Sequence, residues 1–219
     1  MGRRKLIKFD ENNNRAYVIE EGKPLYETIK GNWRKEVFKN ENPVVLELAC
    51  GRGEYTTGLA QVYPDKNFIG IDIKGDRIWK GGNVVDEKEL TNAAFLRTHI
   101  QNLEKYFEKG EVDEIWIIHP DPRPKDRDAK RRMTHPRFLN IYKNLLKENG
   151  LVRFKTDSKE LFEYSVETLV DQKVQLEAIT FDLYESKLLK EHHGIVTRYE
   201  KHFTELGHKV HYLKFRFNQ

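Results

Sequence analysis

Residues 117–137, IIHPDPRPKDRDAKRRMTHPR, hold one carboxylate in a stiff frame and follow it with a dense run of cations. An apolar run over 115–118 stops at His119, and Pro120 and Pro122 then flank Asp121. Proline fixes φ and removes a backbone donor, so the chain must leave a sheet there in extended form. Asp121 is therefore expected at a strand's C-terminal end, where open α/β sheets place their ligands. Arg123, Lys125, Arg127, Lys130, Arg131, Arg132 and Arg137 follow, seven cations against the three carboxylates of Asp121, Asp126 and Asp128. A fixed carboxylate beside such a patch suits one group for chemistry and many for holding nucleic-acid phosphates. The competing reading is a solvated loop, because charge runs are usually solvated faces.

A second constellation is Glu47-Leu-Ala-Cys-Gly51-Arg-Gly53, with Asp72 nineteen residues after Gly53. Glycines at such a turn let a ligand approach the backbone amides closely. An acid at the end of the next strand takes the two hydroxyls of a ribose. This spacing serves either a dinucleotide or a nucleoside such as S-adenosylmethionine. The second is favoured, since there is no G-x-G-x-x-G and Glu47 can meet a ligand ammonium but would repel a pyrophosphate. Lys155-Thr156-Asp157 and Thr197-Arg198-Tyr199-Glu200 are ordinary when taken singly. Asp157 alone suits a helix cap, and Glu200 alone a solvated helix position.

These groups need a scaffold, and the apolar pattern supplies one. Strands are expected over 44–48, 67–73, 93–98, 112–118 and 151–156, with helices over 55–62, 76–90, 100–107, 137–146 and 158–170 between and after them. A short helix over 26–38 precedes this series, turning Trp33 and Phe38 inward. Two further strands, 174–184 and 209–217, close the chain. The alternation predicts a mostly parallel, doubly wound, seven-stranded α/β sheet with an antiparallel C-terminal edge strand. Residues 1–25 read as a basic, flexible or extended arm, and 26–219 as a single domain. Arg3, Arg4, Lys5 and Lys8 of that arm read as solubilising residues rather than phosphate ligands.

At 219 residues, 38% hydrophobic and 34% charged, the chain has volume for a core yet is very polar. Its net charge of +4 is modest, so the concentration of charge in one loop is the informative part. The lone Cys50 excludes an internal disulfide and a cysteine-rich zinc site, and favours a reducing cytoplasm. No run approaches the ~18 apolar residues of a membrane span, and the N-terminus lacks the apolar core of a signal peptide.

PDPRPKDRDAKRR, FKTD and TRYE, in this order behind LELACGRG and FIGIDI, resemble the bacterial tRNA (guanine-N7-)-methyltransferase family. The likeness runs over residues 31–217, beginning at Gly31-Asn32-Trp33-Arg34. It implies a Rossmann-like class I methyltransferase fold, S-adenosylmethionine as donor and guanine 46 of the tRNA variable loop as acceptor. By motif, Glu47 and Asp72 fall on donor-binding positions, with Gly51 and Gly53 in the turn between them. Asp121 falls on the donor-contacting and catalytic aspartate. Lys125, Asp157 and Thr197 to Glu200 fall on tRNA positions, and the basic run through Arg127, Lys130, Arg131 and Arg132 joins them as a phosphate grip. The partner implied is tRNA rather than a membrane, for a cytoplasmic monomer or homodimer. Three positions depart from the family. Arg123 stands where tryptophan is usual. Ala49 replaces a glycine, a change tolerable unless φ there is positive. His99-Ile-Gln101 replaces an acidic adenine contact, which leaves His99, Gln101 or a backbone group as the candidates for that base.

Overall fold

The computed structural model describes residues 3–218, and the side chains of Arg3, Arg4 and Lys5 lie outside that description. In chain order the elements are α1 (Arg3–Asn14), β1 (Val18–Ile19), β2 (Val44–Leu48), α2 (Glu54–Val62), β3 (Asn67–Asp72), α3 (Gly75–Glu87) and β4 (Ala93–Arg97). There follow β5 (Val112–Ile118), α4 (Pro136–Leu145), β6 (Leu146–Thr156), α5 (Lys159–Asp171), β7 (Gln175–Thr180), α6 (Arg198–Glu205) and β8 (His211–Arg216). Short helical segments at Trp33–Phe38 and Ile100–Lys105 stand where longer helices were expected.

The strands form one sheet in the order β1-β4-β3-β2-β5-β6-β8-β7. All pairings from β1 to β6 are parallel, and β8 runs antiparallel to both β6 and β7. The expected doubly wound sheet is thus present, with two refinements. The C-terminal strand inserts one place in from the edge and leaves β7 outermost. An eighth strand, the two residues Val18–Ile19, extends the other side.

Side-chain alternation sets the layers, because successive residues of a strand face opposite sides. Val44, Leu46 and Leu48 of β2 and Ile115 and Ile117 of β5 join one apolar layer with Trp33, Tyr142 and Phe162. Val45, Phe68, Phe95 and Trp116 face the other side, where Tyr55 and Leu59 of α2 and Ile78 and Val85 of α3 cover them. Glu47 alternates onto this second side, directly beneath α2, and that placement decides its environment.

Residues 3–14 are a helix, not the extended arm expected from three consecutive asparagines. Tertiary contacts override the weak local preference. Asn12 Nδ2 donates to the Gly75 carbonyl (2.8 Å), and Arg15 bonds Asp86 and Asn83 on α3. Lys23 Nζ then ties down the segment after α1 by donating to the carbonyls of Asn12, Arg15 and Val18.

Candidate active site and RNA-facing clefts

Two adjoining cavities, of about 880 and 540 Å³, open where β2, β3 and β5 end, and both are bordered by Ala49, Arg77, His119 and Tyr199. The turn after β2 shapes the shared border. Ala49 (φ 55°), Gly51 (φ 57°) and Gly53 (φ 69°) are all left-handed. A side chain at Gly53 would meet the Phe95 ring at 2.5 Å, whereas the space beside Gly51 is open. Gly53 is thus required by packing, and Gly51 leaves room beside the cleft. Ala49 does adopt the positive φ that an alanine resists, at a cost of about 1–2 kcal/mol. The glycine usual at this position would avoid that strain.

Asp72 closes the turn from β3. Its Oδ2 accepts from the Gly51 N–H (2.9 Å) and its Oδ1 from the Lys74 N–H (2.8 Å). Each carboxylate oxygen keeps a second lone pair for a ribose hydroxyl, and Asp72 borders the smaller cavity together with His99 and Gln101. Glu47 borders the larger one. Its Oε2 accepts from the Thr56 N–H (2.7 Å) and hydroxyl (2.5 Å), which ties β2 to the start of α2. Burial raises the Glu47 carboxyl to about 8, against the lowering effect of the Thr56 bonds. A cation brought into the cleft would restore its charge. The open turn, the ribose acid and the ammonium-sized acid therefore suit a nucleoside donor with an amino-acid tail.

The loop after β5 leaves the sheet through two left-handed residues, His119 (φ 45°) and Arg123 (φ 47°). Asp121 is exposed on the lip of the smaller cavity. It is paired with Arg123, the residue that stands where tryptophan is usual, at 3.1 Å. Of the cations that follow, Lys125, Arg127 and Lys130 are exposed. Arg131 meets Asp128 at 3.3 Å. Arg132 donates to the carbonyls of Arg123 (3.2 Å) and Pro124 (3.4 Å) and lies 4.4 Å over the Tyr164 ring. Arg132, expected on phosphate, instead holds the loop to the body of the protein.

The structure brings the ends of β6 and α6 together, although they lie far apart in sequence. Lys155 Nζ donates to both Glu200 oxygens (2.8 and 2.7 Å) and to the Tyr55 hydroxyl (2.5 Å). Both members of this ion pair are 1% exposed. Burial opposes the charge on Glu200, but its bonds to His119 and Lys155 hold it down to about 2. Glu200, expected at the RNA surface, is thus an internal anchor for α6. Thr197 caps the same helix, accepting from the Glu200 N–H (3.1 Å), and Arg198 N–H donates to Glu54.

His119 was not singled out from sequence. Its Nδ1 donates to Asp157 Oδ1 (3.1 Å) and its Nε2 lies 3.5 Å from Glu200 Oε2. Burial pushes the Asp157 carboxyl up, but the His119 and Tyr199 bonds prevail and keep it below its ordinary value. Tyr199 donates to Asp157 Oδ2 (3.3 Å) and keeps an exposed face beside Phe203. His119 and Tyr199 border the cavities, whereas Asp157, which the resemblance places on a tRNA position, sits behind them. The only sequence signal for His119 was its place one residue before the first proline. Arg77, on α3, carried none.

Fold, turn and clefts together define a Rossmann-like methyltransferase. A family profile described as "Putative methyltransferase" matches residues 41–213. A tRNA (guanine-N(7)-)-methyltransferase of Cytophaga hutchinsonii is 49% identical over 99% of both chains. That of Bacteroides fragilis is 42% identical over all of this chain and 88% of the relative. The chain belongs to the tRNA (guanine-N(7)-)-methyltransferase family. Among solved structures, the 16S rRNA methyltransferase KamB superposes with a TM-score of 0.65 at 14% identity, covering 84% of this chain and 92% of KamB. That likeness concerns the fold alone.

Proposed function

We propose that this chain transfers the methyl group of S-adenosylmethionine to N7 of guanine in tRNA, at position 46 of the variable loop, in the cytoplasm. The observation that carries the reading is the meeting of two cavities at Ala49, His119 and Tyr199, one bordered by Asp72 and the other by an array of cations. The smaller cavity has the groups for a nucleoside, and the larger one adds Glu47 for the donor's ammonium beside cations suited to a polyanion. The full-length likeness to named tRNA (guanine-N(7)-)-methyltransferases supports the same pairing of donor and acceptor.

Guanine N7 is an acceptor lone pair on the major-groove edge, so its attack requires no prior deprotonation. When bound, S-adenosylmethionine supplies an electrophilic methyl group on a sulfonium. Asp72 accepts from the ribose hydroxyls, Glu47 from the ammonium, and His99 and Gln101 lie at the adenine end. The protein's main task is in-line placement of the base. Asp121 provides negative charge beside the ring as it becomes cationic, and acts as an orienting group rather than a proton acceptor. Arg123 must turn away from Asp121 for that charge to be felt, and an incoming phosphate gives it another partner. Extruding the base costs a few kcal/mol, which phosphate contacts by Lys125, Arg127, Lys130 and Arg131 help offset.

Labelled methyl incorporation into unmodified tRNA, followed by nucleoside identification, tests the reading. The label should appear as N7-methylguanosine and vanish when guanine 46 is replaced by adenine. Label in another nucleoside, or retained after that replacement, overturns it.

A further inference from the structure

The larger cavity carries charge that neither the donor nor the Asp121 loop accounts for. Lys8 of α1, Arg52 of the turn before α2, Lys80 of α3, and Arg198 and Lys201 of α6 all border it. None of the five forms an ion pair with a carboxylate among the described residues. Other cations whose side chains are partly buried do find carboxylates, as in Arg15–Asp86, Arg34–Asp113 and Arg153–Glu114. With 35 acidic residues against 39 basic ones, the groove does not lack partners for want of acids.

The carboxylates that share the groove do not neutralise it. Glu47 is turned to Thr56, and Glu54 to the Arg198 N–H (3.0 Å). Asp76 and Glu205 border it without closing an ion pair on any of the five cations. Lys8 and Lys80 stand 4.9 and 4.8 Å from the centre of one ring, Trp79. Each is attracted to the ring face, yet gathering like charges at one ring is costly until an anion arrives. On the α6 wall, Tyr199 and Phe203 present rings 4.3 Å apart, a stacking surface for bases. Concave shape, unpaired cations on four segments and aromatic faces match a single nucleic-acid strand.

The cation-rich loop after Asp121 is more heavily committed than its sequence suggests. Arg123 serves Asp121, Arg131 meets Asp128, and Arg132 holds loop carbonyls. Lys125, Arg127 and Lys130 are exposed and form no ion pair among the described residues, while Arg137 lies over the Phe138 ring.

We infer that the groove walled by α1, α3 and α6 is the principal phosphate grip for RNA, with the loop cations secondary. An unstacked strand runs along Lys8, Lys80, Arg52, Arg198 and Lys201 and delivers its target base to the junction at Ala49, His119 and Tyr199. This rests on the tRNA reading above, and it gives the N-terminal helix a role in substrate binding.

The test compares two triple variants of the full chain with the parent, in titrations against one unmodified tRNA at several salt concentrations. One is Lys8→Ala with Lys80→Ala and Lys201→Ala; the other is Lys125→Ala with Arg127→Ala and Lys130→Ala. Each lost phosphate contact removes about 0.7–0.9 from the salt slope, so the groove variant should lose about 2–3. Its affinity should drop at least as far as that of the loop variant, while S-adenosylmethionine affinity by calorimetry stays at the parent's value. A parental salt slope in the groove variant overturns the inference, as does a smaller loss than in the loop variant. A loss of donor affinity instead would assign these lysines to the donor and also overturn it. Methylation by the parent is measured alongside: if the parent does not methylate the tRNA, the functional reading itself fails. If it does, a parental slope in the groove variant removes this inference alone.

Discussion

Asp121 and Glu47 are both carboxylates that border the cavities, but their surroundings give them different roles. Asp121 is exposed and paired with Arg123, so its carboxylate becomes available once that partner moves. Asp121→Asn keeps shape and much of the hydrogen bonding and removes the charge. Single-turnover methylation at saturating tRNA should fall by roughly tenfold or more, with tRNA affinity nearly unchanged. A parental rate would make Asp121 structural. Glu47 is buried, and its carboxyl is raised to about 8. Since the folded-state value lies above the unfolded one, Glu47 stabilises the fold fully below about pH 4.5 and loses that contribution as pH rises through 8. A donor ammonium favours the ionised form, so donor binding should release a proton between pH 5 and 8 and tighten as pH rises through that window. Calorimetry in buffers of differing ionisation heat measures this directly. Glu47→Gln should abolish the proton release; release undiminished in that variant would assign the linkage to another group.

Helix α6 depends on one buried contact for its position. Lys155 of β6 grips Glu200 with both members out of water, and the same turn presents Arg198 and Tyr199 to the groove. Removing one partner of a buried pair strands the other charge and costs about 3–5 kcal/mol. Glu200→Ala should therefore lower unfolding stability by that order in denaturant titration and weaken tRNA binding as α6 loosens. Changing both together, Lys155→Met with Glu200→Leu, should recover most of the stability. If the double variant is as unstable as the single one, the pair is not what anchors the helix. This dependence was only half legible in the sequence. Lys155-Thr156-Asp157 and Thr197 to Glu200 stood out by resemblance, but nothing local says that Lys155 points at Glu200 rather than at RNA. A contact across 45 residues is a property of the packed state. The same limit hid α1, whose asparagines favour turns and whose helix is held by Gly75, Asn83 and Asp86.

Across the whole molecule, the sheet was legible because continuous apolar runs bounded by turn residues, and the helices between them, are local signals that sum over many residues. Strand order at the C-terminal side was not. The insertion of β8 between β6 and β7 is set by contacts between segments far apart in sequence, which no local residue pattern shows. The donor end was legible at Asp72 and the glycine turn, since spacing there is fixed by the strand–turn–helix geometry. The groove cations were not, because four separate segments contribute them. These differences bear on whether the chain has kept its donor, given Ala49 at positive φ and His99 and Gln101 at the adenine end. A ligand at ~100 times its dissociation constant adds about 2.7 kcal/mol to unfolding. For a domain of this size, about 1 kcal/mol raises the melting temperature by roughly 2–4 °C, so S-adenosylmethionine should raise it by about 5–10 °C. Asp72→Asn keeps an acceptor for the turn but loses the charge and one acceptor towards the ribose. It should weaken donor binding at least tenfold, about 1.4 kcal/mol, and at the same donor concentration give a visibly smaller thermal shift. An unchanged melting temperature with donor would mean that the fold has outlived its cofactor and that the chain only binds RNA. A full shift in Asp72→Asn would keep the donor and displace the ribose from Asp72.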